Sequence, residues 1–215
     1  IENNFIKKDW NALNVITQQA SRVGAIDLGV YSITEKENFS FFNKLNNDEF
    51  KFLYLLGADD INFDKKDKFV VYQGSHGDKG AEIADIILPG SAYTEKNGLF
   101  VNLEGKIQNA YKASYPPGDA REDWIIFKDL ANIMKKPIGY NNVNHLRDLI
   151  RKKILERMNV ESNNNVNHIN FVDGNIILRP IDYYYTNPIA RASKVMSECR
   201  QISKNFLFTG IEKAS

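Results

Sequence analysis

The 215-residue sequence predicts an α/β domain with a parallel or mixed sheet, flanking helices and a helical C-terminal tail. Three observations carry that expectation. Phe50 to Leu56 and Phe69 to Tyr72 are short, nearly continuous apolar runs, as expected of strands covered on both faces, and Ile86 to Leu88 reads as a further short strand. Glycine clusters follow them at Gly57, at Gly74 to Gly80 and at Gly90, punctuating the chain like the turns of βα units. From Arg121 onward the apolar spacing changes to that of amphipathic helices.

In chain order, Asp9 is a suitable N-cap, and Trp10, Leu13, Ile16, Ala20 and Val23 recur at helical spacing until Gly24. Residues 25–50 show no period and read as irregular, with Phe39, Phe41 and Phe42 as anchors. The stretch from Ile61 to Lys68 is short and polar for a crossover helix, which leaves the pairing of the first two strands open. Asp78 to Ala84 reads as a short helix. Leu99 to Val101 and Lys106 to Gln108 form a hairpin-like excursion around Glu104-Gly105, with Gly98 and Gly105 expected in positive-φ turns. Arg121 to Met134 and Asn144 to Met158 follow as helices. Glu161 to Asn167 is a polar loop, Phe171 to Ile176 a hairpin turning at Asp173-Gly174, and Pro188 opens a last helix to about Ser203. The expected division is an α/β domain over 1–160, then a loop, hairpin and docking helix over 161–215.

Composition excludes several functions. Lys+Arg of 28 against Asp+Glu of 27 leaves +1, with no basic footprint for nucleic acid. No apolar run approaches the roughly 20 residues of a membrane span, so a direct span is not expected. The single cysteine, Cys199, rules out an internal disulfide and an iron–sulfur cluster held by this chain alone. The start at Ile1 points to a missing upstream portion or unusual initiation, and the wealth of Asn, Lys, Ile, Phe and Tyr fits an AT-rich genome.

Few residues invite chemistry. Gly74-Ser75-His76-Gly77-Asp78-Lys79-Gly80 lies between a strand and a helix, where backbone N–H groups cradle phosphates in other proteins. Its spacing matches neither the dinucleotide fingerprint nor the P-loop. Asp59-Asp60 at the neighbouring strand end would repel an anion, so a structural loop is favoured. His76, His145 and His168 are scattered and lack metal-ligand spacing. Asp85, Glu95 and Glu104 sit beside turns and are expected to cap them, and Cys199 reads as a small buried hydrophobe. Lys135-Lys136 and Arg151-Lys152-Lys153 read as solvated helix faces. No catalytic, cofactor-binding or metal residue is therefore expected. The candidates for an interface are Tyr183, Tyr184 and Tyr185 with Arg191 and Lys194 on the following helix.

Several blocks, in order, also carry a family resemblance: Ala84-Asp85-Ile86-Ile87-Leu88-Pro89-Gly90, Glu95 to Gly98, Asn102 to Gln108, Pro116 to Trp124, and Pro188 to Met196. They resemble the molybdopterin oxidoreductase superfamily. More narrowly, they are similar to the large iron–sulfur subunits (75 kDa type or G type) of respiratory complex I, whose C-terminal half is a degenerate member. The resemblance implies a structural segment of the peripheral arm, with electron transfer from NADH to ubiquinone and proton translocation performed by the whole complex. Partners would be other peripheral-arm subunits and the iron–sulfur-bearing N-terminal half of the same subunit. FMN and the clusters would lie elsewhere, and the location would be the matrix side of the mitochondrial inner membrane or the cytoplasmic face of a bacterial one. The alternative is a fragment of a molybdopterin-dependent oxidoreductase that retains a nucleotide-cofactor site.

Overall fold

The structure, a computed structural model, describes residues 6–7, 10–11, 16–17, 19–30, 35–59, 61, 63–161 and 182–205. The chain divides into two compact units that interleave in sequence. One comprises Ile1–Phe50 and Gly90–Val166, the other Lys51–Pro89 and Asn167–Ser215.

The second unit holds the parallel sheet. Its strands β3 (Phe52–Leu56), β4 (Phe69–Gly74) and β5 (Ile86–Pro89) lie in that order, with β4 central. Leu53 pairs with Val70, Leu55 with Tyr72, and Val71 with Ile86. β3 and β4 pair in parallel, with no helix among the described residues of 57–68, which settles the pairing that the sequence leaves open. The β4–β5 crossover holds one short helix, α3 (Lys79–Glu82).

Alternation along the strands puts Leu53, Leu55, Val70 and Tyr72 on one face. Ala58, Ile61, Phe63, Ala81, Ile83 and Ala84 pack there against Leu55, Val70 and Tyr72. Each large side chain so buried contributes about 1.5–3 kcal/mol. The opposite face is more open: Phe52 is 56% and Phe69 45% exposed, their rings stacked 6.2 Å apart. The expectation of strands covered on both faces thus holds for β4, where Val70 to Gln73 are buried, and fails for β3. Among the described residues β3 and β5 are the edges of a three-stranded sheet, with one neighbour each.

In the same unit Asp182 caps a 3₁₀ turn, Tyr183–Tyr185, by accepting from the Tyr184 N–H. Asn187 Oδ1 accepts from the Ala190 N–H at 2.9 Å to start α6 (Pro188–Ala192), with proline in the first turn. The single expected helix is in fact two. Ser193 is extended (φ −82°, ψ 120°), and its Oγ accepts from the Met196 N–H, an N-cap geometry that opens α7 (Lys194–Asn205). The asparagine-rich stretch beyond Glu161 and the expected 171–176 hairpin lie outside the described residues.

The first unit begins with a two-stranded pair, β1 (Ile6–Lys7) and β2 (Trp10–Asn11), where the sequence suggested the start of a helix. The helix comes later: α1 (Arg22–Asp27) runs through Gly24 instead of stopping there. Gly24 serves contact, because a Cβ at that position would lie 3.3 Å from Val101 Cγ2. The supposedly irregular 25–50 contains α2 (Glu35–Asn46), anchored by Leu45 at 1% exposure. Its Asn, Ser and Phe content is poor in intrinsic helix formers, which hides it from a periodicity reading. Phe41 meets Phe42 edge-on and Phe50 at a tilt.

Hairpin β6 (Gly98–Val101) and β7 (Ile107–Ala110) and helices α4 (Asp123–Ile133) and α5 (Val143–Glu161) match their expected positions. Asn102 Oδ1 organises the hairpin turn by accepting from the N–H groups of Glu104 and Lys106. Gly105 has φ +78°, as expected. Gly98 does not: it is an ordinary strand residue, and its added Cβ would meet only Phe100 at 3.8 Å. Gly105→Val is therefore expected to cost about 2 kcal/mol. Gly98→Val should stay within about 0.5 kcal/mol, and chemical denaturation of the two variants checks the contrast. Among the described residues no helix is long and apolar enough to cross a membrane.

Candidate functional site

Open parallel sheets take ligands at the carboxyl ends of their strands. Here that end is built from the loop after β3 (57–59), the glycine-rich loop after β4, and α3. The glycines of the second loop serve a tyrosine. Tyr72 is 2% exposed and spans the space above Gly74 and Gly80. A Cβ on Gly74 would fall 2.1 Å from Tyr72 Oη. One on Gly80 would fall 2.7 Å from the Ala58 carbonyl and 3.0 Å from the Tyr72 ring. Tyr72 Oη donates to the His76 carbonyl at 2.7 Å and so pins the loop. Burial, reinforced by Asp59 and Asp78, pushes its pKa up to about 12, while Arg191 pulls the other way, so the phenol stays neutral and able to donate.

Two carboxylates and one guanidinium complete the site. Asp78 accepts from the Lys79 N–H as N-cap of α3 through Oδ1. Its Oδ2 accepts from Arg191 Nε at 2.9 Å. Arg191 Nη2 also donates, in a short contact, to Oδ2 of Asp59, whose side chain is 7% exposed. One planar fork from α6 thus compensates two loops at the sheet end.

A phosphate-bearing cofactor does not fit this end as these residues build it. The Tyr72 ring occupies the cradle between the glycines, and the nearest fixed charges are carboxylates already matched to the chain's own arginine. Asp60 lies outside the described residues.

The other sequence candidates are dispersed. His76 is half-buried and contacts the Ser75 hydroxyl, His145 is exposed on α5, and His168 lies outside the described residues. Among the described residues no His, Cys, Asp or Glu group suited to a metal ion forms. Glu95 accepts from the Ala92 N–H at 3.0 Å, the expected turn cap. Glu104 instead meets the Asn102 side-chain amide. Lys135 and Lys136 are exposed just past α4, and on α5 Arg151 reaches Asn109 Oδ1 at 2.8 Å while Lys152 and Lys153 are exposed. Tyr183 is 79% exposed and meets Tyr184 edge-on, Arg200 lies 4.5 Å over the Tyr185 ring, and Lys194 is exposed. Cys199 is partly buried. Sequence reasoning missed Tyr72 and the pairing of Arg191 with Asp59 and Asp78. The available signal was a tyrosine followed by glycine two and eight positions later.

Asp85 ties β4 to its approach loop, accepting from Lys65 Nζ at 2.7 Å and from the Val70 N–H at 2.8 Å. The Lys65 hydrogen bond, then the Val70 N–H, hold its carboxyl below the ordinary value. A lowered folded-state pKa stabilises above the unfolded value and is lost as pH falls through the folded one. Wild type should therefore lose more stability than Asp85→Asn when denaturant midpoints are compared from about pH 5 down through the carboxylate range near 3.9. Equal losses would remove this role from Asp85.

Comparisons with known proteins place these features in a family. Residues 2–133 match the family model of molybdopterin oxidoreductase, and residues 158–199 match that of the C-terminal region of the G-type subunit of NADH-ubiquinone oxidoreductase. The chain is 39% identical over 209 residues to the NADH-ubiquinone oxidoreductase 75 kDa subunit of Reclinomonas americana, covering 91% of this chain and 29% of that protein. It is 40% identical over 214 residues to the mitochondrial 78 kDa subunit of Candida albicans, covering 91% and 28%. It is 38% identical over 203 residues to the G-type subunit of NADH-quinone oxidoreductase from Rickettsia typhi, again covering 91% and 28%. The chain thus spans less than a third of the length of these relatives. A three-stranded parallel sheet with flanking helices, read with a family match over most of the sequence, makes this chain a member of the molybdopterin oxidoreductase family.

Proposed function

We propose that this chain is a structural, non-catalytic segment of the peripheral arm of respiratory NADH:ubiquinone oxidoreductase. The observation that supports it best is the sheet end: where a relative with a working site would receive a nucleotide-bearing cofactor, this chain has Tyr72 and the Arg191–Asp59–Asp78 cluster. The similarity to the 75 kDa, 78 kDa and G-type proteins supplies the complex. Electron transfer from NADH to ubiquinone and proton translocation belong to the assembly. FMN and iron–sulfur clusters sit in other parts of it. The chain packs against the iron–sulfur-bearing half of its subunit and neighbouring arm subunits, on the matrix side of the mitochondrial inner membrane or its bacterial equivalent. The segment 161–215 acts as the docking element. Tyr183, Tyr184, Tyr185 and Lys194 meet partners, and Arg191 holds their helix in place from within.

The test has three arms. Metal and flavin analysis of the purified assembly should give iron and FMN, and stoichiometric molybdenum or tungsten on this chain would overturn the proposal. Alanine at His76 or Lys79 should leave NADH:quinone turnover of the assembled complex nearly unchanged, since a catalytic group contributes about 10²–10⁴-fold. A loss of that size with normal assembly would assign chemistry to the loop. Deletion from Tyr183 onward should abolish stable docking, whereas full stoichiometry of the truncated chain in the complex would remove the docking role.

A further inference from the structure

The first unit contains a cleft that the scaffold role does not explain. It lies between the approach to β6 (Lys96 to Leu99), the start of α4 (Glu122 to Trp124) and one side of α5. Its volume is about 180 Å³, roughly six water molecules at about 30 Å³ each. Leu99, Trp124, Val143, Leu146 and Ile150 supply apolar walls, and four charged residues share them.

Three of those four charges are matched. Lys96 Nζ contacts Asp123 Oδ2. Glu122, 9% exposed, accepts from Trp124 Nε1 at 3.0 Å and meets Lys112 Nζ at 3.5 Å. Arg147 is the exception. Its Nη2 donates to the Ala110 carbonyl at 3.3 Å, and its guanidinium lies 5.7 Å from the Tyr111 ring centre. Among the described residues both partners are neutral, and Nε is buried with no acceptor. Nε is closed to solvent, so an anion in the cleft would be met by the rest of the guanidinium. A guanidinium with only neutral partners asks for an anion, and its planar fork suits a carboxylate.

We propose that this cleft binds a monocarboxylate with a small apolar body, using Arg147 as counter-ion. Glu122 and Asp123 beside it disfavour a phosphate dianion, and the apolar walls disfavour a small hydrophilic anion. A phenyl ring or branched aliphatic chain next to one carboxylate matches the volume and the walls. That chemistry comes either from a free organic acid or from the C-terminal carboxylate of a polypeptide.

The test is titration of the full chain with phenylacetate, acetyl-phenylalanine and neutral phenylacetamide, read by Trp124 fluorescence with Trp10→Phe as background. The expected result is saturable carboxylate binding in about the millimolar range, at least about tenfold tighter than the amide. Tighter phenylacetate binding identifies a free acid as the source, and tighter acetyl-phenylalanine binding identifies a chain terminus. Arg147→Met should abolish the preference for carboxylate over amide, while Arg151→Met, outside the cleft, should keep it. Equal affinity for phenylacetate and phenylacetamide in the wild-type chain, or no saturable signal, overturns the proposal without reference to any variant. So does a charge preference that survives in Arg147→Met.

Discussion

Arg191→Ala is expected to destabilise the chain by about 3 kcal/mol, the lower end of the cost of removing one partner from a buried ion pair. The lower end applies because the Arg191 side chain keeps 19% exposure and Asp78 keeps 28%, so solvent screens part of the charge left behind. Asp59 carries most of the penalty, since only 7% of its side chain reaches water. Arg191→Lys should recover only part of the loss, because a single ammonium cannot match two carboxylates with the geometry of a fork. Combining Arg191→Met with Asp59→Asn and Asp78→Asn should recover most of it. The triple variant removes the charges together, and Asn still serves as N-cap of α3. Denaturant midpoints of the full chain measure all three. A loss below about 1 kcal/mol for Arg191→Ala would show a solvent-screened pair with no role in holding α6.

Gly74→Ala should cost a similar amount, about 3 kcal/mol, through overpacking. The new methyl would sit 2.1 Å from Tyr72 Oη and 2.4 Å from Cζ. Tyr72 cannot yield easily, being buried in the central strand and hydrogen-bonded to the His76 carbonyl. The Tyr72→Ala background separates the two glycines. There Gly74→Ala should become nearly neutral, a coupling of the kind double-mutant cycles resolve. Gly80→Ala should stay costly, because its methyl also strikes the Ala58 carbonyl at 2.7 Å. Full additivity at Gly74 would mean that the glycine is required for some reason other than the tyrosine ring.

The split between what could and could not be read from the residues follows the range of the interactions. The runs at β3, β4 and β5, the Asn-Gly-flanked hairpin β6–β7 and the helices α4 and α5 declare themselves because their signals are local: apolar period, turn residues and caps within a few positions. The N-terminal fifty residues misled for the same reason. Trp10 to Val23 imitates a helical period, yet Trp10 pairs as a strand with Lys7, and α2 forms from residues of low intrinsic propensity. The break at Ser193 was equally hidden, since a serine reads alike as helix interior and as N-cap until its neighbours are placed.

By itself the sequence determined the fold class and the family, because composition and ordered motifs need no coordinates to be read. The tertiary structure alone decided what the glycine-rich loop is for. Arg191 stands 132 positions from Asp59 and 113 from Asp78, and no periodicity or spacing rule reaches that far. From sequence, two aspartates near glycines repel an anion and an arginine on a late helix offers itself to a partner. Folded, they neutralise one another at the end of the sheet, where burial makes an unpaired charge too costly to leave alone.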